Sequence, residues 1–402
     1  MYVSKSIKNN TAFYDYVNTG KHTVKITNSW NRPYTIKVTI GSPPQSFELL
    51  FDTTSILVWI PSVQCKSGCD CSNSTSLNCY SKQEYNASAS ETYHADGRSF
   101  NVSFGSDYVG GVVSEDNLTI GNDVVNRRQP FGEAVTVPES LSDYHFDGIL
   151  SAGRISKNST KVKQLLPIVN AWDQGWLAEP MFSLWMSSKR SKDSSVTGEL
   201  ILGGQDATKM AGNITYVDLE DGDSWIFMID SVEIANITMT TSNRYRAVIN
   251  TTSPYIWVPE DVYNVIYSQM PHGLSMNQSK LSNEQKFNSQ HHCTDADSAP
   301  NLVFVIRNQS FPVPASNYII QIPFSPTATI CTLGIKPGPN DTTDTIILGD
   351  PWIRSWYHVF DFGHERIGIA PIYNSCLSNF KVNTRTKFCI LILLACINII
   401  LL

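Results

Sequence analysis

Residues 51–61 read FDTTSILVWIP and residues 249–259 read INTTSPYIWVP, an internal repeat 198 residues apart. Thr-Thr-Ser, the Trp and the Pro recur at the same offsets, and the residue before Thr-Thr-Ser is Asp52 in one copy and Asn250 in the other. Each copy is followed further along the chain by an apolar-apolar-small turn, GILSAG (Gly148–Gly153) and then IILGD (Ile346–Asp350). Solenoid repeats have periods of roughly 20–50 residues. This spacing instead points to a duplicated lobe, with the two matching turns brought together across a pseudo-twofold axis.

Two carboxylates held face to face at hydrogen-bond range cannot both ionise, so they share a proton. One then acts as general base on a trapped water while the other donates to the carbonyl under attack. Hydroxyls just after the acid, Thr53 and Ser55 here, would orient it. Taken alone, Asp-Thr-Thr-Ser is only a turn, because all three residue types favour turns. The duplication, with Trp and Pro in matching places, favours the paired-site reading.

The length of 402 residues suits two lobes of ordinary domain size. Hydrophobic residues at 42% and charged residues at 16% describe a folding chain. A net charge of −6 leaves no basic face for nucleic acid. YTIKVTIG (Tyr34–Gly41) alternates polar and apolar residues, and SFELLFD, NLTIG and LVFVI are short and rich in β-formers. Only KQLLPIVNAW (Lys163–Trp172) and PEDVYNVIYSQM, with Val262, Val265, Ile266 and Met270 along one side, read as helices. The fold class is therefore mainly β.

Four of the nine cysteines crowd together at Cys65, Cys69, Cys71 and Cys79. Four nearby thiols can hold zinc. Here the spacing is irregular, the surroundings are rich in Ser and Asn, and paired C-x-x-C knuckles are missing. Two disulfides are expected instead, in any of three pairings. Likewise His291-His292 is read as a surface histidine pair, not a metal site. Twelve Asn-x-Ser/Thr sequons, among them Asn73, Asn250 and Asn340, fit a glycosylated secretory product. The sequon at Asn250 overlaps the repeat and is expected to stay unmodified. MYVSKSIKNNTAFYDYV carries no apolar run that could act as a signal peptide. The start is read as truncated, and the protein as secretory rather than cytosolic.

From about Tyr34 to Tyr373 the chain resembles the pepsin-like aspartic peptidase family. The resemblance is carried by the repeat and by IGSPPQSFELLFDTTS, FDGIL, AWDQGWLAEPMFSLWMSS and GELILGG. It is carried most specifically by IILGDPWIRSWYHVFDFGHERIGIAPI. Cys293 and Cys331 sit where that family places its second-lobe disulfide, and Cys65 where its first-lobe disulfide begins. The four-cysteine insert is similar to that of invertebrate, especially nematode, members. The resemblance implies a bilobal β fold with a central cleft for an extended peptide or protein segment, a β-hairpin flap over it, a monomer, and neither metal nor cofactor. The expected organisation is an N-terminal extension over 1–30, a first lobe over 31–206, a second lobe over 207–375 and a spacer and tail over 376–402.

Five departures from the family pattern lie in or near the cleft. The second catalytic aspartate is replaced by Asn250, which cannot take up a proton at ordinary pH. Thr54 and Thr252 stand where the family has glycine, so Asp52-Thr53-Thr54-Ser55 and Asn250-Thr251-Thr252-Ser253 carry added β-branched bulk on the cleft floor. The flap reads Phe104-Gly105-Ser106-Asp107 in place of Tyr-Gly-Thr-Gly, keeping a ring and losing its hydroxyl. The first supporting turn has Ser151 where the family has glycine, and the cysteine pair before the second loop is missing. Thr53, Thr251, Ser55, Ser253, Trp59, Gly349 and Asp361 all match. The leading expectation is a non-catalytic homologue holding a peptide or protein in the cleft. The alternatives are a working aspartic endopeptidase and a surface glycoprotein with no cleft ligand.

Phe388–Leu402 (FCILILLACINIILL) is a fifteen-residue apolar run with Asn398 as its one polar residue. As a helix it reaches roughly 22 Å, short of a bilayer core of about 30 Å. Before it lie the polar, basic spacer LSNFKVNTRTK and the small residues Asn374 and Ser375. Small site, polar spacer and apolar tail form the pattern of a glycolipid-anchor signal whose tail is removed. The expected location is the outer face of the plasma membrane, with a single-pass helix or a secreted form as alternatives. Phosphatidylinositol-specific phospholipase C is expected to release the protein from intact cells; retention with the C-terminal peptide intact would establish the spanning helix.

Overall fold

The computed structural model describes residues 20–27, 34–71, 79–104, 107–159, 165–187, 198–271, 298–325, 328–338 and 344–372. Asn374, Ser375, the apolar tail, Cys293 and the Gly105-Ser106 turn lie outside the described residues. Among those described, no helix is long and apolar enough to cross a membrane.

The first lobe is built on a seven-stranded sheet. In spatial order its strands are Thr35–Ile40, Gln45–Asp52, Gly148–Ser151, Trp59–Pro61, Val124–Thr136, Asp107–Ile120 and His94–Phe104. Ile36, Val38 and Ile40 are buried while the residues between them are not, the period-2 pattern of a strand with one face on a core. Gln45–Asp52 becomes continuously buried over its last four residues, as a strand covered on both faces must. The second lobe carries a five-stranded sheet, with Ile226–Ile229, Tyr245–Ile249, Thr345–Leu348, Ile256–Val258 and Ile335–Pro337 in that order. A four-stranded sheet and the hairpin of Ile319–Ser325 with Ala328–Leu333 complete it.

Both halves of the repeat fold alike. Gln45–Asp52 runs parallel to Gly148–Ser151, with Asp52 opposite Ser151, and Trp59 pairs antiparallel with Ile149. Tyr245–Ile249 runs parallel to Thr345–Leu348, with Ile249 opposite Leu348, and Trp257 pairs antiparallel with Ile347. In each lobe the apolar-apolar-small segment threads between the strand that enters the repeat loop and the strand that leaves it.

A six-stranded sheet joins the lobes: His22–Ile26, Gly198–Leu202, Met181–Met186, Trp356–Asp361, Arg366–Pro371 and Thr215–Asp218. Three strands come from each half of the chain, and the edge strand His22–Ile26 comes from the stretch set apart as the N-terminal extension. Phe182 and Phe360 stack on this sheet at 4.4 Å. Phe51 and Trp225 meet Phe182 edge-on at 5.7 and 6.1 Å. The helices shift slightly from expectation. The first runs Pro167–Asp173, starting at the proline that sequence placed inside it, because proline is tolerated only in the first helical turn. The second runs Glu260–Ser268 and buries Val262 and Ile266, while Met270 is buried just past its end.

The clustered cysteines pair as Cys65–Cys69 and Cys71–Cys79. Cys331 is also disulfide-bonded. These bonds mark a chain that folds in an oxidising compartment.

A buried arginine crosses between the lobes. Arg154, just past the Ser151–Gly153 turn, is 2% exposed. Its Nη1 donates to the carbonyls of Glu220, Gly222 and Ser224, and its Nη2 to Glu365 at 2.8 Å. Asp223 accepts from Ser156 N and Ser159 Oγ on the same segment. Arg154→Ala leaves three carbonyls and a carboxylate without their cation, and is expected to cost about 3 kcal/mol, measured as a lowered urea midpoint at unchanged slope.

Candidate active site

The two repeat loops hold each other through a reciprocal pair of threonines. Thr53 Oγ1 donates to Ile249 O at 2.7 Å and accepts from Thr251 N at 3.2 Å. Thr251 Oγ1 donates to Phe51 O at 2.6 Å and accepts from Thr53 N at 3.1 Å. Both threonines are buried. Each hydroxyl satisfies a backbone group of the opposite loop that would otherwise be stranded out of water. The bonds cross the pseudo-twofold axis and fix Asp52 and Asn250, one residue earlier in each loop, relative to each other.

Asp52 is buried at 5% exposure, and its own loop supplies its hydrogen bonds. Oδ1 accepts from Thr54 N at 2.7 Å and Thr54 Oγ1 at 2.6 Å, and Oδ2 accepts from Ser55 Oγ. Asn250 copies half of this arrangement. Its Oδ1 accepts from Thr252 N at 2.8 Å and Thr252 Oγ1 at 2.7 Å. Because a backbone N–H can only donate, that contact fixes which end of the amide is oxygen. Ser253 then departs from Ser55. Its hydroxyl donates to Tyr255 O at 2.8 Å and accepts from Trp257 Nε1 at 2.9 Å. A serine that donates to a carboxylate oxygen in the first loop has no such oxygen to donate to in the second, where Nδ2 takes that place. Among the described residues, Asn250 Nδ2 meets no acceptor.

Thr54 and Thr252 lie outside the left-handed backbone region, so neither position needs glycine for its angles. Thr54 is exposed and Thr252 half-buried. Their hydroxyls turn back onto Asp52 and Asn250, so each adds a donor as well as bulk.

The supporting turns press close behind. Ala152 N donates to Asp52 O at 2.7 Å, and Asp350 N to Ser253 O at 2.9 Å. A Cβ at Gly153 would stand 2.5 Å from Ser55 O, and one at Gly349 2.2 Å from Tyr255 O, so both positions require glycine for close approach. Ser151 is buried with its hydroxyl unpaired. Trp225, from the second lobe, donates its indole N–H to Ala152 O at 2.9 Å. Sequence reading missed Trp225 and Arg154; an arginine directly after a run of small buried residues was the one available signal.

Asp350 accepts from Arg354 Nε at 2.8 Å and from Tyr34 Oη. Asp361, fully buried, accepts from His364 N at 3.0 Å and Arg366 Nε at 2.9 Å. Both are structural anchors of the closing strands. The expected flap is a hairpin of His94–Phe104 with Asp107–Ile120, in which Phe104 stands opposite an exposed Asp107. Within it a Cβ at Gly111 would fall 1.9 Å from Glu133 O, which keeps the hairpin pressed to the sheet.

The family model described as eukaryotic aspartyl protease matches residues 33–372. Pepsin A of Suncus murinus is 30% identical over 350 residues, covering 86% of this chain and 83% of the relative. Pepsin A of Sus scrofa is 30% identical over 336 residues, 83% of this chain and 80% of the relative. Vacuolar protease A of Aspergillus fumigatus is 28% identical over 353 residues, 87% and 81%.

Thr53→Val and Thr251→Val keep volume and remove the hydroxyls. Each is expected to cost about 1–3 kcal/mol, and the double variant less than their sum, because the first loss already lets the loops part. A double-mutant cycle in urea checks this; strict additivity would mean that the two threonines act independently.

Proposed function

Because the chain belongs to the eukaryotic aspartyl protease family, we propose that it is a pepsin-like homologue that holds an extended peptide or protein segment in its cleft without cutting it. The observation that carries this reading is the state of Asn250. Peptide hydrolysis by an acid pair needs one group to lose a proton to the other and recover it. The Asn250 amide can do neither. Its oxygen is committed to Thr252, and its Nδ2 is a fixed donor. Asp52, meanwhile, gives both oxygens to hydrogen bonds from Thr54 and Ser55. The pair offers a ligand an amide donor beside a satisfied carboxylate, which suits a carbonyl or hydroxyl oxygen of a bound chain better than a water to be activated.

The remaining machinery supports binding. The threonine cross-bonds, the glycine-packed turns and the hairpin over the sheet are what a cleft needs to hold extended backbone. The cysteine pairing and the sequons fit a secretory route, and the C-terminal spacer and tail fit anchoring near Asn374 or Ser375 on the outer face of the membrane.

Purified protein is expected to show no endopeptidase activity from about pH 2 to 7, since losing one member of the acid pair removes a factor of about 100–10,000. Pepstatin-sensitive cleavage that disappears in Asp52→Ala would overturn the proposal. Asn250→Asp alone is expected to restore little. An aspartate at 250 would receive both Thr252 donors, which favour its ionised form and oppose a shared proton. Turnover is expected once Thr54→Gly and Thr252→Gly are added; robust turnover by the single variant would assign the block to the amide alone.

A further inference from the structure

His358 lies on Trp356–Asp361, an interior strand of the sheet that joins the lobes. It stands opposite Leu184 on one neighbouring strand and Ile369 on the other. Its side chain is 0% exposed, and neither ring nitrogen has a hydrogen-bond partner. The rings of Trp352 and Phe360 flank it at 6.1 and 6.5 Å. Buried polar groups are nearly always paired; this one has no partner among the described residues, and it sits in the sheet on which both loops rest.

The charged groups on the elements packed around it are engaged elsewhere. On the short helix Asp350–Ile353, Asp350 is held by Arg354 and Tyr34. At the end of its own strand, Asp361 is held by His364 and Arg366, the latter being the one charge on Arg366–Pro371. Met181–Met186 carries no charged residue. Among the described residues of these elements, no free carboxylate stands ready to receive an imidazolium.

We infer that His358 makes the inter-lobe sheet an acid-sensitive joint: the neutral ring lets the strand pack at neutral pH, and its protonation drives the strand from the sheet and releases the platform under both loops. Burial alone lowers the basicity of the ring, from 6.5 to about 3. The folded protein therefore stays unprotonated at His358 where the opened chain takes up a proton. Stability from this residue is complete above about pH 6.5 and falls as pH drops, by about tenfold in the folding constant per pH unit, until the folded ring itself titrates. A ligand taken up near neutrality would be discharged on acidification, whether or not the cleft has any residual activity.

The test compares urea unfolding of the full chain and of His358→Leu from pH 7 to 4. Groups common to both cancel, so the ratio of folding constants is expected to be flat above about pH 6.5 and to move about tenfold per unit below it in favour of the variant. Parallel profiles would overturn the inference. Should His358→Leu fail to fold, ring-labelled histidine in the wild-type protein decides the matter by NMR. The inference expects one ring to remain neutral at pH 5 in the folded state, and titration of every ring near its ordinary value would overturn it.

Discussion

Four hydrogen bonds between Thr53 and Thr251 and the opposite loop's backbone decide what the rest of this molecule can be. Each is made in a buried place where water cannot substitute, so the loops must meet in one arrangement or leave donors and carbonyls unpaired. Meeting there brings the ends of Gln45–Asp52 and Tyr245–Ile249 together. That in turn calls for turns with no side chain at Gly153 and Gly349, and for an aromatic bed of Phe51, Phe182, Phe360 and Trp225 beneath. The duplicated Thr is a structural requirement, separable from the acid beside it. A change at position 250 can therefore remove chemistry while the fold stands.

The asymmetry between the loops shows how local that change is. Asp52 and Asn250 share the same backbone and threonine contacts, and the difference begins only at the second side-chain atom of the pair. Ser55 bonds to Asp52, whereas Ser253 turns to Tyr255 and Trp257. One substitution has redirected one hydroxyl, and the strands around it keep their register.

Much of this was legible in the sequence. Thr35–Ile40 alternates visibly, Leu302–Ile306 is a short apolar run of β-formers, and the repeat marked both loops because its Thr, Trp and Pro have fixed jobs in each lobe. What stayed hidden depends on partners far away in the chain. Nothing near Arg154 shows that its acceptors lie at 220–224 and 365, and nothing near His358 shows that its ring would be buried without a partner among the described residues. The direction of the Ser253 hydroxyl is also set by a neighbour, Trp257, that is half-buried where its counterpart Trp59 is fully so. Nor does the spacing of the repeat show that the Thr54 and Thr252 hydroxyls turn back onto Asp52 and Asn250.

The two disulfides Cys65–Cys69 and Cys71–Cys79 close rings with separations of only 4 and 8 residues, both in one corner of the first lobe. Cross-links that short restrict little of an unfolded chain and fasten nothing across the cleft. Among the described residues, the contacts that join the halves at the loops are the shared sheet, the threonine bonds and Arg154. A thiol reductant that opened these two rings would slacken that corner and leave the threonine bonds and Arg154 as they are.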